Sequence, residues 1–78
     1  MIEQYDFDPN IKNIICNNVK KYRNEKKVRL MDLAEAVGVT PEHLKRIESP
    51  NDRNNISLLC LYKISKVLGV RIDKFFEE

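Results

Sequence analysis

Only two glycines and three prolines occur in the 78 residues, and each punctuates a stretch whose apolar residues recur three or four apart. Gly38 follows Leu30, Leu33, Ala34 and Val37. Gly69 follows Leu58, Leu61, Tyr62, Ile64, Val67 and Leu68. Apolar spacing of three and four marks one face of a helix, and glycine just past such a stripe is positioned to end it in a left-handed conformation. Asp8-Pro9 and Thr40-Pro41 read as helix starts, a capping side chain followed by a proline suited to the first helical position. Pro50 ends the helix before it. Helices are therefore expected at about 9–26, 30–37 and 41–49, then a fourth capped by Ser57, and a short fifth at about 72–77. The first buries Ile11, Ile14, Ile15, Val19 and Tyr22. The fourth buries its six apolar residues, and Phe75 or Phe76 of the fifth completes the core. No sustained period-two run of β-branched residues competes with this pattern. The fold class is all-α, five short helices around one core, with residues 1–8 as an acidic arm and 9–78 as the domain.

Composition narrows the function classes. A chain of this length makes one small domain with a thin stability margin, which argues against a catalytic cleft assembled from distant segments. No nucleophile–base pair, phosphate-cradling glycine loop or metal-ligand spacing occurs, so no catalytic residues, metal or cofactor are expected. Cys16 and Cys60 are too few for a disulfide framework and read as buried thiols, and His43 is the only histidine. No apolar run approaches the roughly 20 residues of a membrane span, and no signal peptide is evident, so a cytoplasmic location is expected. The formal net charge is +2, with 33% of residues charged. That small sum hides an uneven distribution. Residues 1–10 carry three acids and no base, whereas residues 11–29 carry seven bases against Glu25. Such a basic segment suits either a polyanion or the solvated face of a helix.

The junction at Gly38 is the informative one. Ala34 is small where two helices approach closely, Gly38 permits a sharp turn, and Leu44 and Ile47 fill the wedge between the helices. That is the steric recipe of a helix-turn-helix, although a plain helical hairpin can share it. The wider text resembles the lambda-repressor-like (Cro-repressor, xenobiotic-response-element) helix-turn-helix family. The resemblance rests on Val19-x2-Tyr22-Arg23, Leu33-Ala34-x3-Gly38-Val39-Thr40 and Ile47-Glu48. It continues through Ser57-Leu58-x2-Leu61-x2-Ile64-x2-Val67-Leu68-Gly69-Val70 to Asp73-x2-Phe76. It implies a compact five-helix domain with a central helix-turn-helix, a transcription regulator of the repressor kind that binds double-stranded DNA as a homodimer. Neither a membrane nor a small-molecule substrate is implied.

Carried over by position, Arg23 and Glu48 match the family's ion pair between its first and third helices. DNA contacts are expected from the recognition helix at about 41–49, through Thr40, Pro41, Glu42, Lys45 and Arg46. Thr40 and the helix-start amides can hold a phosphate, Arg46 can donate two bonds to a guanine edge, and Lys45 can reach phosphate or base. Glu42 either accepts from a cytosine amino group or complements the helix dipole and faces solvent. His43 is expected on the side nearer the core, in packing or capping. Three positions depart from the family pattern. Arg29-Leu30 replaces a polar cap and Gln, with Arg29 able to substitute through charge. The loop after Glu48 is about two residues longer and begins Ser49-Pro50, placing Asn51 and Arg53 as further phosphate contacts. A glycine expected near position 27 is Lys27. The arm's Tyr5 and Phe7 are candidates to pack on the fifth helix or to reach a second subunit. The alternative function is a protein-interaction module on the same scaffold without operator binding, suggested by Leu30, Glu42 and the acidic arm.

Overall fold

The computed structural model describes residues 4–49 and 56–78. Four α-helices follow one another, α1 (Ile11–Glu25), α2 (Leu30–Val37), α3 (Pro41–Ile47) and α4 (Leu58–Leu68), and a 3₁₀ segment (Ile72–Phe76) closes the chain. The described residues contain no strand, so the class is all-α. The expected fifth α-helix is a single 3₁₀ stretch instead. Five residues are too few to offset helix nucleation, and part of its carbonyl set is committed elsewhere. Asn18, buried on α1, donates its side-chain amide to the carbonyls of Phe75 at 2.8 Å and Glu77 at 2.6 Å. These bonds hold the chain's end against α1, with Phe75 fully buried and its ring edge-on to Tyr22 at 5.5 Å.

α1 starts two residues later than its Asp8-Pro9 signal. Asp8 accepts the Asn10 amide at 2.8 Å through its side chain and the Ile11 amide at 3.2 Å through its carbonyl. The aspartate thus forms a local turn ahead of the helix instead of capping it. The other starts follow their local chemistry. Thr40 Oγ accepts the His43 amide, and Ser57 Oγ accepts the Cys60 amide, each at 3.1 Å. α3 ends at Ile47 with Glu48 as its cap, short of the 41–49 expected, while Pro50 lies outside the described residues.

The core joins Val19, Leu33, Leu44, Ile64 and Phe75, all fully buried, with Ala34, Val37, Ile47, Leu61 and Leu68 around them. α4 presents a different face from the one its apolar pattern suggests. Cys60, Leu61, Ile64, Ser65 and Leu68 are buried, whereas Leu58, Tyr62 and Val67 are exposed. The buried set repeats at one and four residues, a regular helical stripe. Ser65 joins it because its hydroxyl is satisfied locally, donating to the Tyr62 carbonyl at 2.6 Å. On α1, Ile11 is likewise exposed, while Cys16 and Asn18 face inward. In the described part of the arm, residues 4–8 have no regular structure, and Tyr5 and Phe7 are exposed instead of packing on the 3₁₀ segment, one of the placements expected of them.

Candidate nucleic-acid interface

Behind the exposed side of α3 lies a rigid support. Gly38 ends α2 with φ +89°, and the amides of Gly38 and Val39 both reach the Ala34 carbonyl at 2.9 Å. Only a residue tolerant of positive φ turns the chain this sharply. Leu44 and Ile47, buried in the core on the side where α3 meets α2, then fix the rotation of α3 about its own axis. Pro41, Glu42, His43, Lys45 and Arg46 are consequently all exposed. Glu42 and Arg46 stand one turn apart and separate two shallow open hollows. Gly38, Val39, Thr40 and His43 line the first hollow, and Lys45 and Ser49 the second. Among the described residues, neither Glu42 nor Arg46 has an ion-pair partner. Their polar groups remain available to a ligand.

The expected positions fare differently. His43 lies in solvent, not toward the core, and only its backbone amide takes part in the cap. The N-terminal position of His43 on a seven-residue helix, beside the inward Leu44, turns its ring outward. Thr40 spends an oxygen lone pair on that cap and keeps its hydroxyl proton for an acceptor. Arg29 precedes α2 and pairs with Asp32 at 2.9 and 3.4 Å. The hydrogen bond to Asp32, and then its charge, push the Arg29 pKa up. Both partners are solvent-exposed, so a phosphate can compete for the guanidinium. Asn51 and Arg53 lie outside the described residues.

Arg23 joins three parts of the molecule. Its Nε donates to Glu48 Oε2 at 2.6 Å and its Nη2 to Glu48 Oε1 at 3.1 Å, a two-point pairing. Its Nη1 donates to the Val28 carbonyl at 3.0 Å. Glu48 is buried at the C-terminal cap of α3. One guanidinium therefore ties α1, the turn after it and the end of α3 together.

Two features carry no periodicity signal. One is the clamp from Asn18 to the chain's end; the other is the backbone of Lys27, left-handed at φ 57°. Asn18 reads as a polar residue on a helix, and only the structure reveals the carbonyls it satisfies. Burial pushes the Cys60 thiol up despite the nearby Lys63, which favours the protonated thiol of a packed side chain. Among the described residues, no group of three His, Cys, Asp or Glu is placed to hold a metal, and no helix is long and apolar enough to cross a membrane.

A family model described as helix-turn-helix matches residues 19–75. The chain belongs to the helix-turn-helix family. Among curated helix-turn-helix proteins, the HTH-type transcriptional regulator SinR of Bacillus subtilis is 38% identical over 65 residues, covering 83% of this chain and 58% of the relative. The chain thus spans less than two thirds of the length of the curated relatives it matches. Among solved structures, SinR, described as the master regulator for biofilm formation in complex with DNA, superposes with a TM-score of 0.71. That match is 38% identical and covers 81% of this chain and 98% of that one. The clp gene regulator ClgR of Corynebacterium glutamicum superposes at 0.79, with 26% identity, 88% of this chain and 71% of that one.

Proposed function

We propose that this chain is a sequence-specific DNA-binding transcriptional regulator, acting as a repressor, with residues 9–78 as its reading unit. α3 enters the major groove. The observation that carries this reading is the exposed Glu42–Lys45–Arg46 face, held from behind by Leu44 and Ile47 and at its end by Arg23–Glu48. The resemblance in sequence to SinR, and in shape to SinR bound to DNA, supports it.

Arg46 donates two bonds to a guanine edge, Lys45 holds a base or phosphate, and Thr40 donates to a phosphate at the groove wall. Pro41 lies against the backbone there, and Arg29, Asn51 and Arg53 add phosphate contacts. Glu42 accepts from a cytosine amino group, so Glu42→Gln shifts base preference at one position of the site; an unchanged binding-site profile removes that role. The protein works as a homodimer on two half-sites about one helical turn apart. The exposed Leu58 and Tyr62 of α4 supply an apolar contact between copies. Its place of action is the cytoplasm, and no cofactor, catalytic step or small-molecule substrate enters the account.

Selection of duplexes from a random pool tests the reading. Recovery of one two-fold-symmetric motif, with affinity that falls steeply between about 50 and 200 mM salt, is the expected result. No enrichment and no salt-dependent affinity for any duplex would leave a protein-interaction module instead.

A further inference from the structure

Three helices of this chain end in the same kind of turn, and one of the three is built against its own backbone preference. After α4, Gly69 is left-handed at φ 66°, its amide bonds to Lys66 and the next amide, that of Val70, reaches back five residues to Ser65 at 3.1 Å. After α2, Gly38 is left-handed and the Val39 amide reaches back five residues to Ala34. After α1 the pattern repeats: Lys27 bonds to Asn24 at 3.0 Å and Val28 to Arg23 at 3.1 Å. Here, however, the left-handed residue is Lys27, at φ 57°. Glycine takes this conformation without steric cost, and a lysine Cβ does not. Strained backbone persists where the surroundings over-determine it, and it clusters at functional sites.

The surroundings of Lys27 fit such a site. Its side chain is exposed, and among the described residues it has no ion-pair or hydrogen-bond partner. Lys26 and Arg29 flank it, so the turn is basic. Its position is fixed relative to α3, because the Val28 carbonyl and the Glu48 carboxylate accept bonds from the same guanidinium, that of Arg23. The turn is therefore held within one side chain's width of the recognition helix's C-terminal cap. A helix lying in the major groove has a phosphate wall on each side, since the groove is only about 12 Å wide. An exposed lysine whose backbone is held beside the end of that helix has such a wall within its reach.

We infer that Lys27 is a phosphate clamp, a lysine retained at a glycine-type turn because its ammonium grips the DNA backbone beside the recognition helix. This rests on the DNA-binding reading above and adds to it a residue whose contributions to stability and to binding oppose each other. Lys27→Gly relieves the backbone and removes one phosphate contact per protomer, whereas Lys27→Arg keeps both the strain and the charge.

The test measures thermal melting and the salt dependence of binding for wild type, Lys27→Gly and Lys27→Arg. A random-sequence duplex suffices as probe, because phosphate contacts carry no sequence information. Lys27→Gly should melt a few degrees higher yet bind more weakly, its log K against log salt slope shallower by about 0.9 per bound protomer. Lys27→Arg should match wild type in both. A glycine variant that gains stability while keeping the wild-type slope would overturn the clamp, and one that loses stability would overturn the strain. Wild type that binds no duplex at any salt would instead refute the DNA-binding reading itself.

Discussion

Arg23 and Glu48 show how one pair of charges can serve a binding face without belonging to it. Both carboxylate oxygens of Glu48 are engaged by the guanidinium, and the side chains are only 13% and 7% exposed. Removing one partner of a pair so withdrawn from water leaves the other charge uncompensated, at a cost of about 3–5 kcal/mol. A small domain has on the order of 5–15 kcal/mol in total, so Glu48→Ala should consume a large share of it. Chemical denaturation checks this, and a midpoint within error of wild type would contradict it. The identities of the pair were legible only through the family resemblance at Tyr22-Arg23 and Ile47-Glu48. Its third bond, to the Val28 carbonyl, was not, because a backbone acceptor leaves no trace in the sequence.

Among the elements, legibility followed how local the deciding chemistry is. Thr40 and Ser57 cap α3 and α4 as their side chains suggest, and Gly38 and Gly69 terminate α2 and α4 in left-handed turns. Each of those outcomes is settled within a few residues. Asp8 misled because its carboxylate has a nearer use, the Asn10 amide, than the helix it precedes. The buried face of α4 misled for a different reason. Leu58 and Tyr62 satisfy the apolar pattern, yet Cys60 and Ser65 occupy the side that approaches the core. The 3₁₀ segment depends on contacts between residues 57 and 59 positions apart. Asn18→Ala strips two carbonyls of their donor, and losing buried bonds of this kind costs about 1–3 kcal/mol. Hydrogen exchange should then accelerate first in residues 72–77, while the amides of α2 and α3 keep their protection relative to global unfolding. Uniform acceleration across the domain would show that the clamp serves the whole core and not its last segment.

At the scale of the whole molecule, the modest net charge of +2 resolves into a basic α1 and its following turn, an acidic arm, and an α3 of mixed sign. On the proposed DNA-binding reading, phosphate attraction is limited and discrimination rests on few side chains. If the chain pairs as proposed, the apolar residues that α4 leaves in solvent are the contact to test. Leu58→Glu combined with Tyr62→Glu should lower the sedimenting mass from dimer to monomer while preserving the helical signal. An unchanged mass would remove this face from the contact. The central claim, that the exposed face of α3 reads bases, is tested most directly by Arg46→Ala on two duplexes, the selected site and a random sequence. Loss of one two-point base contact should weaken the selected site by about 1–3 kcal/mol per half-site while the random duplex is bound nearly as before. Equal weakening on both duplexes would make Arg46 a phosphate contact and contradict the account.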